Sequence, residues 1–331
     1  MNPTRATACL AAWTLLIAAT GCQPEFAPIT QLDGLRVMAV AADAPELVPG
    51  DTTTIRALVR SNPEAGPVSY AWDWCPFEGT AQDEYTCAVS QGDIDALAAE
   101  LNLTPPQLVL GASPEVEFRY DFAELLQVYC ELLVAFLEEQ DLPEGVVALE
   151  CEERQPITLR LIVTQPDGSR VVAVKRMVLY YEAPQDLEVL NNNPTISGVR
   201  IAGPGVAPED AAPLVEGEPF PVAYDAAYTI LLDVDASTSE AFTPEGDERD
   251  PDPDPERENL IATWYYEGGA FEEERTAYID GASDDLEALT TNTWSAPEER
   301  RDRAPGEIDL YIVLQDEREG LGWVVRTLRL E

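Results

Sequence analysis

The chemistry open to this chain is set first by what its 331 residues omit, because there is no histidine. The commonest general base and metal ligand is therefore missing. Neither a Gly-x-Ser-x-Gly elbow nor a Gly-x4-Gly-Lys phosphate loop occurs. Lys175 is the single lysine, so a Ser–Lys dyad would have to use it. Set in a run of β-type residues, it reads as an outward or edge lysine. Sixty-two Asp and Glu leave a two-carboxylate hydrolase open. Asp250, Asp252 and Asp254 alternate with proline, an extended pattern that holds successive carboxylates apart. Calcium requires six to eight converging oxygens, so these three would need help from Asp233, Asp235 or Asp316. Without that help the segment is a solvated loop.

The six cysteines divide by position. Cys9 and Cys22 lie near the start, and Cys75, Cys87, Cys130 and Cys151 follow, an even number. Their spacing does not suit zinc, and histidine is absent. In an exported chain such thiols pair, and four allow three connectivities. The neighbour pairing, Cys75–Cys87 and Cys130–Cys151, closes short loops, each stabilising by roughly 3 kcal/mol in the chain-entropy model.

Export is read from residues 1–21. Arg5 precedes an apolar run, Ala6 to Ala19, which is about the length of a signal-peptide core and short for a membrane span. The run ends Ala19-Thr20-Gly21-Cys22, which resembles the lipobox of bacterial lipoproteins, with Ala19 where that family usually has leucine. The resemblance implies cleavage before Cys22 and a diacylglyceryl plus an acyl group on it. More than one chain is what stable anchoring requires. Gln23 in place of an aspartate implies the outer membrane, facing the periplasm or the cell surface.

Net charge is −42, and losing Arg5 with the leader moves it to −43. Such a surface repels nucleic acid, which is excluded as a partner. The membrane is expected as a partner through the lipid, and a protein or glycan as the other. Hydrophobic residues at 45% allow real cores, and the length suits two domains.

The elements that position these residues are mostly strands. Ile55, Ala57 and Val59 alternate with Thr54, Arg56 and Arg60. Val68, Tyr70, Trp72 and Trp74 repeat the period, as do Ile157, Leu159, Leu161 and Val163. Gln165-Pro-Asp-Gly168 then marks a hairpin. Between them, 90–102 reads as a short helix. A longer one opens at Asp121 with an apolar stripe of Phe122, Leu125, Leu126, Tyr129, Leu132, Leu133 and Phe136.

The second half repeats the first: Trp264 matches Trp72, Ile308 to Leu314 matches Ile157 to Val163, and Val215-Glu-Gly-Glu218 matches Val48-Pro-Gly-Asp51. A helical insertion lengthens the first copy and an acidic stretch the second. The expected order is a signal peptide at 1–21 and a tether at 22–33. An Ig-like domain at 34–183 follows, with its insertion at about 90–150. A linker at 184–195 leads to a second Ig-like domain at 196–331, with an acidic loop at about 236–259. In series on Cys22 these would form a short rod, the second domain outermost.

Tyr70-Ala-Trp72-Asp73 and Asp235-Ala-Ser-Thr-Ser239 are similar to motifs of PKD-like domains, although Cys75-Pro76-Phe77 replaces the glycine-rich element that follows in that family. The chain also resembles uncharacterised lipoproteins of myxobacterial type. That likeness rests on the lipobox, Leu35 to Val40, Trp72 with Cys75, and the closing turn Asp316-x-Arg318-x-Gly320. The resemblance implies a mainly β chain of two tandem Ig/PKD-like β-sandwich domains, the first with an α-helical insertion. It also implies a non-enzymatic binding or assembly role without a cofactor. The alternative is a carboxylate-dependent hydrolase acting on an envelope glycan.

Overall fold

In the computed structural model, which describes residues 28–77, 79–138, 151, 153–185, 190–243, 255–280, 286–298 and 306–331, the alternating segments are strands and the fold is mainly β. The signal peptide, Cys22, and the Asp250, Asp252 and Asp254 series lie outside the described residues.

The first half runs through β1 (Arg36–Ala42), β2 (Glu46–Leu47), β3 (Thr52–Arg60) and β4 (Ser69–Cys75). Helix α1 (Gln91–Leu101) follows, then β5 (Val109–Gly111), β6 (Glu115–Arg119), α2 (Ala123–Glu138), β7 (Arg154–Thr164) and β8 (Arg170–Tyr180). The second half continues with β9 (Gly198–Ala202), β10 (Ala212–Pro213), β11 (Phe220–Val222), β12 (Ala227–Asp233), β13 (Ala241–Phe242) and β14 (Glu256–Arg257). It closes with β15 (Leu260–Tyr266), β16 (Ala270–Phe271), β17 (Arg275–Tyr278), α3 (Glu287–Thr290), β18 (Thr291–Ser295), β19 (Glu307–Asp316) and β20 (Leu321–Leu330).

The internal repeat is visible in the strand order. One sheet of the first half runs β2-β8-β7-β4-β5, and its counterpart in the second runs β11-β20-β19-β15-β17. In each, the short outer strand is parallel to its neighbour and the other pairings are antiparallel. The opposed sheet is β1-β3-β6 in the first half, and β9-β12-β18 occupies the same order in the second, flanked by β10 and β16. Each half packs its two sheets over a separate core. Trp72 and Trp74 are buried with Ile157, Leu159 and Leu161 in one, and Trp264 and Trp294 with Leu310 and Ile312 in the other.

Local chemistry explains the turns. After β7, Gly168 takes φ 89° and Ser169 N–H donates to Asp167 Oδ1 at 2.8 Å, as a Pro-Asp-Gly turn requires. Helix α1 opens with a capping box in which Ser90 and Asp93 satisfy each other's backbone N–H groups. The stretch read as an insertion is only partly helical, since β5 and β6 within it join the two sheets. On α2, Phe122, Leu125 and Leu126 enter the core, and Phe122 stacks on Trp74 with centroids 4.9 Å apart. Leu132, read as part of that stripe, is 54% exposed.

The halves do not stand end to end as a rod. The outer face of β1 and β3 packs on the outer face of β19 and β20, burying Met38, Leu58, Tyr311 and Val313 against Trp323 and Val325. Arg56 lies over the Trp323 ring at 5.4 Å, and Arg60 pairs with Glu267 at 3.0 Å. Residues 28–33, read as part of a tether, enter this face. Leu32 N–H donates to Tyr266 O at 2.9 Å, Tyr266 N–H donates to Thr30 O at 3.1 Å, and Thr30 and Leu32 are buried.

Candidate functional site

Both expected disulfides form. Cys75 joins Cys87, and Cys130 of α2 joins Cys151 ahead of β7. They fix the helical part of the first half to its sheet.

The carboxylates that might have joined a calcium site are employed separately. Asp233 pairs with Arg200 at 2.8 Å, Asp235 accepts from Ser237 N–H at 2.8 Å, and Asp316 folds into its own hairpin turn. Asp233, Asp235 and Glu287 line an open groove with Ser197, Leu286 and Thr290. Among the described residues, no group of three or more acidic or thiol side chains converges so as to hold a metal ion.

What the fold does bring together is a buried polar joint between the halves, built around the β19–β20 hairpin tip. Asp316 Oδ1 accepts from Gly320 N–H at 2.6 Å and Arg318 N–H at 2.9 Å, and Glu319 takes the left-handed conformation at φ 72°. The turn thereby aims Arg318 and the Glu319 carbonyl at the first half. Arg318 reaches Glu46 of β2 at 3.5 Å and Glu258 at 3.4 Å, and lies over Phe242 at 5.5 Å.

Lys175 is not the outward lysine of the sequence reading, being only 5% exposed. Its Nζ donates to the Glu319 carbonyl and stands 3.6 Å from the Glu319 carboxylate. A partner from the other half is what makes its burial tolerable. Burial lowers its pKa, with the charges of Glu319 and Asp316 opposing.

Residues 190–195, read as part of a linker, are part of the same joint. Asn191 is buried; its N–H donates to Glu46 Oε2 at 3.1 Å, and its amide donates to Arg318 O at 2.9 Å and to Asp316 at 3.3 Å. Asn193 bridges the halves, donating to Ala42 O at 2.7 Å and accepting from Leu321 N–H at 2.8 Å. Burial raises the pKa of Asp316, opposed by the hydrogen bond from Gly320. Glu258, 0% exposed, is pushed up to about 7 by burial and by the Asp316 charge, with Arg318 opposing.

Chemically this is a lock. Its three carboxylates, Glu46, Glu258 and Asp316, are buried, and Arg318 pairs with the first two. The closing turn Asp316-x-Arg318-x-Gly320 was visible in the sequence, whereas Glu46 and Glu258 carried no local signal.

No family model and no curated protein matches the chain. Solved structures give distant likenesses only. Dimeric latent PorU from Porphyromonas gingivalis is 9% identical with a TM-score of 0.20, covering 90% of this chain and 24% of its own. Three N-terminal domains of the bacteriophage RB49 highly immunogenic outer capsid protein are 9% identical with a TM-score of 0.19, covering 90% and 99%. Bacteroides ovatus SGBP-B, in complex with a mixed-linkage heptasaccharide, is 8% identical with a TM-score of 0.19, covering 91% and 71%.

Proposed function

We propose that this chain is an outer-membrane lipoprotein, anchored by lipid on Cys22. Its body is two Ig/PKD-like β-sandwich units, and its role is the non-enzymatic holding of a protein or glycan partner at the envelope. One observation carries the reading. The two repeated units are clamped to one another by an apolar face and a charged lock, and the residues that lead from Cys22 enter that face. A clamped pair of sheets suits a scaffold that fixes a partner's position. A hydrolase needs a carboxyl of raised pKa open to substrate, and the two whose pKa burial raises, Glu258 and Asp316, are buried.

With Cys22 lipidated, five residues lie between it and Pro28, a reach of at most about 22 Å. The body therefore sits close to the bilayer, with the tether held at the contact between the two units.

Mass spectrometry of the mature N-terminus is expected to find lipid on Cys22, and Cys22→Ser to release the protein from the membrane fraction. An unlipidated start, or Cys22→Ser still in the membrane, would sink the anchoring. Turnover of envelope glycan by the purified protein, lost on a single Asp or Glu substitution, would overturn the non-enzymatic role.

A further inference from the structure

The apolar contact between the halves joins unlike faces. The second half contributes the outer face of β19 and β20, and the first half that of β1 and β3. Each half has both kinds of sheet, so one face of each is left over. The strand registers identify the first. Tyr311 pairs with Val325 and Val313 with Trp323, and all four lie in the contact. In the first half Arg160 pairs with Val174 and Ile162 with Val172 at the same places. The tips fix this alignment: Gly168 and Glu319 are both left-handed, at φ 89° and 72°, and Val172 and Trp323 each come four residues later. Ile162, Val172 and Val174 are partly exposed, and Val109, in the same cross-strand row as Asp73 and Arg160, is 72% exposed. The other unused face is the outer side of β9, β12 and β18, in the sheet that corresponds to β1-β3-β6. Leu231 lies at its centre between Arg200 and Thr291, partly exposed.

Charge separates the two faces. Residues 154–180 carry five cations, Arg154, Arg160, Arg170, Lys175 and Arg176, against one acid, Asp167, in a chain of net charge −42. Arg160, Arg170 and Arg176 belong to the unused face, where Arg160 pairs with Asp73 at 2.7 Å and Arg170 with Glu84 at 2.6 Å. The face on β9, β12 and β18 is rimmed by acids instead. Asp233, which pairs with Arg200, lines the open groove with Asp235 and Glu287, and Glu272 and Glu273 are exposed just past β16. Two arginine-bearing faces repel one another, as do two acid-rimmed ones, whereas one of each attract.

We propose that molecules of this chain associate head to tail, the outer face of β7 and β8 in one docking on the outer face of β9 and β12 in the next. The contact made within each molecule is thereby repeated between molecules. Ile162, Val172 and Val174 cover Leu231, and Arg170 and Arg176 meet the acidic rim. A contact between unlike faces leaves one of each free at the ends, so assembly continues beyond a pair. The inference stands apart from the lipid anchor and from the identity of any other partner.

Sedimentation of the purified full chain at rising concentration tests this, in density-matched detergent with micelles in excess over protein. The mass is expected to climb past that of a pair at low salt and to fall as salt screens the arginines. Val172→Glu spoils one face and Leu231→Arg the other, and both side chains lie on outer faces, away from the cores. Each variant alone stays a monomer. Mixed, the two form pairs and nothing longer, because each keeps the face the other lacks. A wild type that remains monomeric or stops at pairs, a variant that still associates alone, or a mixture that stays monomeric overturns the proposal. Should either variant not fold, hydroxyl-radical footprinting of the wild type decides. Oxidation of Val172 and of Leu231 must fall together as concentration rises, and shielding of one alone or of neither overturns the proposal.

Discussion

Arg318 holds the joint with one guanidinium, pairing with a carboxylate of each half while its plane lies on Phe242. Removing one member of a buried ionic group costs more than never having had it, because the remaining charges stay unpaired and dehydrated. Arg318→Gln is expected to destabilise the protein by about 3–5 kcal/mol in urea unfolding at pH 8. The loss shrinks toward pH 5, where Glu258, whose pKa burial and Asp316 push up to about 7, takes up a proton. At this scale the sequence was least legible. Lys175 reads as exposed because a lone charge among strand residues normally faces water, and its partner comes from 144 residues away. Glu46 and Glu258 are two acids among 62, and nothing beside them in the chain marks their burial. The cysteines were legible because an even number and close spacing act together.

The elements were clearer, since their signals are periodic and local. Alternation located β3, β4 and β7, and the Pro-Asp-Gly turn located the hairpin that leads into β8. The repeat between the halves was legible for the same reason, each copy having to alternate toward its own core. β5 and β6 escaped notice because they are short and lie between two helices, and Leu132 misled because helical spacing does not say how wide the covered stripe is. Helix α2 touches the core along one side and is tied at Cys130 to Cys151. Replacing both cysteines with serine is expected to cost about 3 kcal/mol. Hydrogen exchange should show protection lost first in α2, with β15 and β19 unchanged. A loss shared evenly by both halves would contradict this separation of cores.

For the whole molecule, the decisive surface is the one between the halves. β3 reads as half-buried, with Thr54, Arg56 and Arg60 turned to water. In the fold that face carries Leu58 into the apolar contact, while Arg56 covers Trp323 and Arg60 pairs with Glu267. Arginine stems lie along apolar surface while their heads stay polar, so a polar pattern concealed an interface. Trp323→Ala is expected to cost about 1–3 kcal/mol. It should also increase the radius of gyration in small-angle scattering, because it weakens the contact between two otherwise intact cores. An unchanged radius would place the hold in the charged joint alone. The pairing of Gln31 with Tyr266 is parallel, next to hydrogen bonds from Leu32 and to Thr30. A pull on the N-terminal segment is therefore passed into β15 and on to its partner β19. The load thus divides at residues 30–32, reaching the second unit through these hydrogen bonds and the first through the chain as it runs on into β1.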